Sequence, residues 1–163
     1  MASREIELLL ENLDRAYERV SWHGPNLRGS LRGLTPGAAA WRPAPGRHNA
    51  WEILVHCAYW KYVVRRRILG EKRGSFPLKG SNWFARPASP REATAAALRA
   101  DLELLEAAHR SLRAAIAEFP ARDLPKPVRG SRGVTHTMRI AGIAAHDLYH
   151  AGQIQLLKRL RKR

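Results

Sequence analysis

The sequence predicts an all-α protein, a four-helix bundle with a long connection between its first and second helices. Four segments carry apolar residues at helical spacing, and Pro- and Gly-bearing stretches separate them. No segment of useful length alternates with the period of two that a half-buried strand requires. An up-and-down or crossover bundle is the architecture that buries four such stripes together.

The first helix is expected from about Ser3 to Val20, with Ile6, Leu9, Leu10, Leu13, Tyr17 and Val20 on one face. A connection through Gly24-Pro25 follows, holding a short helix around 26–34, and Thr35-Pro36 and the run Trp41 to Gly46 read as turns. The second helix starts at Asn49, a capping residue with Glu52 three positions on, and ends near Gly70. Ser89-Pro90-Arg91-Glu92 reads as the start of the third, which continues to Pro120 along the seam Leu98, Leu102, Leu105, Leu112, Ile116 and Phe119. The fourth runs from Thr135 into the basic tail. The connection from Glu71 to Ser89 is long and holds Phe76, Trp83 and Phe84, so it is expected to fold back over one end of the core.

Residues 1–163 are the right length for one domain. Hydrophobic residues make up 45 % of the chain, enough for a packed core. Cys57 is the sole cysteine, which excludes an internal disulfide framework. Charges at Arg4, Glu5 and Glu7 interrupt any signal-like apolar start, and no run approaches the roughly 20 apolar residues of a membrane span. A cytoplasmic protein without membrane contact is the expectation. Lys and Arg number 29 against 14 Asp and Glu, a net +15. The excess is dispersed, and its densest knots, Arg65 to Arg67 and the C-terminal tail, fall at helix C-termini where cations complement the dipole. Nucleic acid is therefore the less favoured partner: no recognition motif accompanies the charge, and the aromatics do not interleave with it.

The fourth helix carries the chemistry. At heptad spacing Ile143, His146, His150, Gln153, Leu157 and Leu160 share one seam. Imidazoles buried without partners are costly, so a partner is implied. Two histidines at i and i+4 reach a common point and suit a metal ion. After His150 the chain holds no His, Asp, Glu or Cys, so a third ligand must come from earlier. That, with Asp147 where a zinc protease has Glu, argues against a metalloprotease. On the second helix His56 lies on a seam with Ile53, Trp60 and Val63, and it is the expected third ligand. Three neutral imidazoles suit zinc or nickel and leave positions open for water or substrate.

Other polar residues carry weaker signals. Gln153 is as readily a satisfied core amide as a wall of the site. Glu52, one turn before His56, could orient its ring, although capping already accounts for it. His109 falls on the seam of the third helix and is expected to be a buried or boundary histidine rather than a fourth ligand. His48 and His136 are expected to be exposed or packed on loops, and His23 lies in a turn. Cys57, Trp22 and Trp60 read as packing residues. Asp147 and Tyr149 flank the ligands on other faces, Asp147 about 100° around the helix from His146.

Three stretches together resemble the DinB-like superfamily of small four-helix bundles: Trp41-Arg42-Pro43-Ala44-Pro45-Gly46, Asn49-Ala50-Trp51-Glu52-Ile53-Leu54-Val55-His56, and His146-Asp147-Leu148-Tyr149-His150-Ala151-Gly152-Gln153-Ile154. The resemblance covers essentially the whole chain in order. It implies one metal-binding histidine on the second helix and an HxxxH pair on the last, which fall on His56, His146 and His150. It further implies a metal-dependent transferase that activates a low-molecular-weight thiol, such as bacillithiol or mycothiol, toward an electrophile. A homodimer formed through a helix face goes with it. The alternative from another class is a non-catalytic binding protein stabilised by its metal.

Overall fold

A computed structural model describes residues 3–162, and they form six α-helices and no strand. The four long ones are α1 (Arg4–Tyr17), α4 (Ala50–Ile68), α5 (Ala95–Ala117) and α6 (His136–Arg161). Two short helices, α2 (Leu27–Leu31) and α3 (Pro36–Ala40), occupy the long connection between α1 and α4. The expected bundle is thus observed, with α4 packed on α5 and α6, and α1 on α6 and α5.

Local sequence sets the boundaries. Each of the six helices begins at a Ser, Thr or Asn whose side chain accepts a backbone N–H of the first turn; Asn49, for example, accepts from Glu52 N at 2.8 Å. Such a cap stabilises by about 1 kcal/mol. At the other end of α4, Gly70 takes φ +69° and the N–H groups of Gly70 and Glu71 close back on the carbonyls of Arg67 and Arg66, a Schellman stop.

Three boundaries differ from expectation. Helix α1 stops at Tyr17, so Val20, expected on its packed face, lies in the loop and is 94 % exposed; Trp22, expected to be a packing residue, is 95 % exposed. Thr35-Pro36, read as a turn, caps and opens α3, because proline at the first helical position needs no donor. Ser89-Pro90 opens only a 3₁₀ turn, Pro90–Glu92; the true cap of α5 is Thr94, whose hydroxyl accepts from Ala97 N.

The connection between α4 and α5 does cover one end of the core. Phe84 is buried against Tyr59 and Phe76, and Asn49 Nδ2 donates to the Arg86 carbonyl at 2.7 Å. Arg86 in turn pairs with Asp101, which also accepts from buried Trp51 Nε1 at 2.7 Å. Among the described residues no helix is long and apolar enough to cross a membrane.

Candidate metal centre

Helices α4 and α6 bring His56, His146 and His150 together as the sequence predicts. His146 Nε2 stands 3.1 Å from His56 Nε2 and 3.1 Å from His150 Nε2. Two nitrogens bound to one tetrahedral zinc at 2.0–2.1 Å would stand about 3.3 Å apart. The three rings therefore converge at ligand spacing, with one donor atom from each available within 4.8 Å of the others.

Their protonation is fixed by what lies behind them. His56 Nδ1 lies 2.8 Å from the backbone carbonyl of Asn82, which only accepts, so that nitrogen carries the proton and Nε2 presents a lone pair. His150 Nδ1 is held in the same way by Gln153 Oε1 at 2.7 Å. Burial depresses all three: His56 to about 4, His146 to about 3, and His150 below its ordinary value. Neutral His146 has one proton for two facing lone pairs, and its own Nδ1 is buried with no partner. Hydrogen bonding alone cannot satisfy this cluster. A cation at the meeting point would take up all three Nε2 lone pairs at once.

Two residues complete the surroundings: Trp83, expected only as part of a loop covering the core, and Asn82, which the sequence reading did not single out. The Trp83 ring is sandwiched between His48 and His56, at centroid distances of 3.6 and 3.9 Å. Asn82 sits at φ +65°, a conformation asparagine tolerates better than most residues, and this aims its carbonyl at His56. Its side chain accepts from Trp60 Nε1 at 2.9 Å. The clue available in the sequence was the cluster Asn82-Trp83-Phe84 in a loop, polar and aromatic where loops are commonly small and polar.

Glu52 neither orients His56 nor reaches back to complete a capping box. Its carboxylate takes a two-pronged bond from Arg42, at 2.8 and 2.5 Å, and a third from His48 Nδ1 at 2.9 Å. Burial works to raise that carboxyl, but these bonds outweigh it and hold it low. His48, exposed and packed on the loop as expected, is thereby held beside the site.

The larger departure concerns Asp147. Although it lies about a quarter-turn from His146, it faces the centre of the bundle and is 0 % exposed, paired with equally buried Lys61 of α4. The buried stripe of α6 runs Ile140, Ile143, Ala144, Asp147, His150, Ala151 and Ile154, so it is rotated from the seam drawn through His146 and Leu160. Burial pushes the Asp147 carboxyl up to about 6 against the opposing pull of Lys61, and its Oδ1 has no partner. Lys61 Nζ also lies 4.9 Å over the Tyr17 ring, which stacks on His109 at 3.7 Å. His109 is buried as expected and belongs to this layer, not to the histidine triad. Cys57, His146 and Asp147 also approach one another at ligand spacing. That set fits a cation poorly, because burial keeps the Cys57 thiol protonated and Asp147 is already engaged by Lys61.

A cavity of about 620 Å³ adjoins His150. Ile53, Trp83, Tyr149 and Leu157 give it apolar walls, while Arg47 and Gln153 add polar groups. Its size is that of a small-molecule site.

Comparison with curated proteins and with solved structures finds no significant match. The sequence profile of the DinB superfamily, in contrast, matches residues 6–154. That span runs from the first turn of α1 through the histidine pair of α6 and takes in all three histidines, Asn82, Trp83 and Gln153, and the chain belongs to the DinB superfamily.

Proposed function

We propose that His56, His146 and His150 bind one divalent ion, zinc or nickel, and that the protein is a metal-dependent transferase acting on a low-molecular-weight thiol and an electrophile. One observation carries the metal reading. Three Nε2 atoms converge, and at His56 and His150 the second nitrogen already gives its proton to an oxygen, so both lone pairs face the shared point. A bound divalent ion would supply Lewis acidity, lowering the pKa of a coordinated thiol so that thiolate exists near neutral pH.

The chain's own residues define the rest. Asn82 and Gln153 hold the rings of His56 and His150 in the ligating tautomer. Trp83 and the Asn82 loop cover one flank of the triad and limit water there. The cavity beside His150 has room for an apolar electrophile, and Arg47, His48 and Gln153 are placed to hold its polar end.

Elemental analysis of protein purified without added metal, wild type beside His146→Ala, tests the first half. A stoichiometric ion lost in the variant is expected; negligible metal in both defeats the reading. A thiol-conjugation assay on a panel of electrophiles, with His150→Ala as control, tests the second. Metal bound in full without turnover on any thiol would leave the non-catalytic, metal-stabilised protein as the function.

A further inference from the structure

On the other side of the loop that carries Asn82 lies a second cavity, of about 630 Å³, between the C-terminal half of α4 and residues 73–82. Four cations line it: Arg66 and Arg67 from α4, and Arg73 and Lys79 from the loop. Among the described residues none of the four forms an ion pair. The nearest acid in sequence, Glu71, spends its carboxylate on Arg65 at 2.5 Å and offers Arg66 only a backbone carbonyl at 2.9 Å. Arg66 Nε is buried without a hydrogen-bond partner. The field reaches further, since burial and the charge of Arg67 both depress Arg139, whose Nε is likewise buried and unpartnered.

Collecting unneutralised guanidinium groups around a cleft is unfavourable unless an anion enters it. Aromatic rings of Tyr59, Trp60, Tyr62 and Phe76 also line it, which suits a flat or apolar body. We infer that this cleft binds a small organic molecule carrying at least two negative charges, a phosphate ester or a dicarboxylate, on a flat body. Guanidinium groups hold either head group in the same forked geometry. The cleft is separate from the histidine triad but borders it, since Trp60 and Asn82 line it and Asn82 also bonds His56. Its existence does not depend on the metal reading.

Calorimetric titration of the full chain with phenyl phosphate, with phthalate and with uncharged benzyl alcohol tests the inference. An ionic strength of about 150 mM, where charges are screened beyond roughly 8 Å, suppresses loose binding to the basic surface. One-to-one binding of at least one dianion is expected, with benzyl alcohol inert; the dianion that binds names the head group. Arg73→Ala/Lys79→Ala removes two exposed loop cations and should weaken binding about tenfold or more, the scale of lost charge-assisted bonds. Arg66→Gln should do the same from α4. Arg129→Ala/Arg132→Ala removes equal charge from a different loop and should change little. His146→Ala should retain the dianion even where it loses metal, so this site and the metal centre fail or stand separately. No binding of either dianion, equal weakening in the Arg129/Arg132 control, or loss of binding in His146→Ala would overturn the inference.

Discussion

Asp147→Asn is the most informative single change for stability. Both partners of the Lys61–Asp147 pair are 0 % exposed, so removing the carboxylate charge leaves an ammonium group with no water to turn to. The amide oxygen that replaces the carboxylate can still accept a hydrogen bond but carries no charge, and the Tyr17 ring at 4.9 Å offers only a weak cation–π attraction. Breaking a buried pair from one side costs about 3–5 kcal/mol, a large share of the roughly 5–15 kcal/mol that holds a domain folded. For a chain of this size the melting temperature should fall by roughly 6–20 °C. The pair itself is a different matter. Its Coulombic gain is largely offset by desolvation, so Lys61→Met/Asp147→Leu should recover most of the loss and lie within about 1 kcal/mol of wild type. Urea unfolding with a chelator present, so that metal linkage does not enter, measures all three proteins. A loss below about 1 kcal/mol for Asp147→Asn, or a double variant as unstable as the single, would refute the argument.

Acid should destabilise the metal-free protein between about pH 6.5 and 4. Buried His56, His109 and His146, depressed to about 4, 3 and 3, stay neutral when folded, and His150 is depressed in the same direction, while unfolded histidines protonate below 6.5. Asp147, raised to about 6, works the other way, favouring the fold as it protonates, but it is one group against four. Unfolding free energy that stays flat or rises as pH falls through this window contradicts the burial of the histidines. Gln153→Leu removes the group that fixes the His150 tautomer and should weaken metal binding about 10–100-fold in competition with a chelator. Asn82→Val forces a branched residue to φ +65°, at about 1–2 kcal/mol, and should cost affinity by misdirecting the carbonyl that holds His56. Asn82→Gly keeps that conformation and should retain most of it; equal losses in the two would show that the backbone carbonyl is not what matters.

What could be read from the chain was whatever repeats at helical spacing or sits at a helix end. Asn49 was legible as a cap because a cap is a local event, settled within three residues. His146 and His150 were legible as a pair for the same reason. His56 could be assigned to them only because its seam is otherwise apolar and no ligand follows His150. The partners that complete the site are non-local. Asn82 and Trp83 reach His56 from 26 and 27 positions away in a loop whose path no periodicity encodes. Lys61 meets Asp147 across 86 positions, and nothing near either residue announces that a lysine will be 0 % exposed. Val20 shows the opposite error: it continues the apolar stripe of α1, but the helix ends before it, so its position on the helical wheel has no meaning.

The misplaced rotation of α6 has a physical cause that bears on the site. A stripe chosen to maximise apolar residues runs through Leu157 and Leu160, yet Leu160 is 40 % exposed while Asp147 is fully buried. Lys61 offsets part of the cost of burying Asp147, and this rotation of the helix brings the two together. On α6 the two neighbours then serve different partners: Asp147 points at α4 through Lys61, while His146 meets His56 from the edge of the core. Both contacts join the same two helices, five positions apart on α4 and one on α6. A shift or rotation of α6 that relieved the histidines would bury an unpaired aspartate and lysine, so the ion pair penalises the registers in which the triad is lost. Replacing the pair by Met and Leu should therefore leave stability nearly unchanged and still weaken metal binding, because the apolar substitute packs in more than one register. If Lys61→Met/Asp147→Leu bound metal as tightly as wild type, the triad would hold its register without the pair, and Asp147 would be a matter of packing alone.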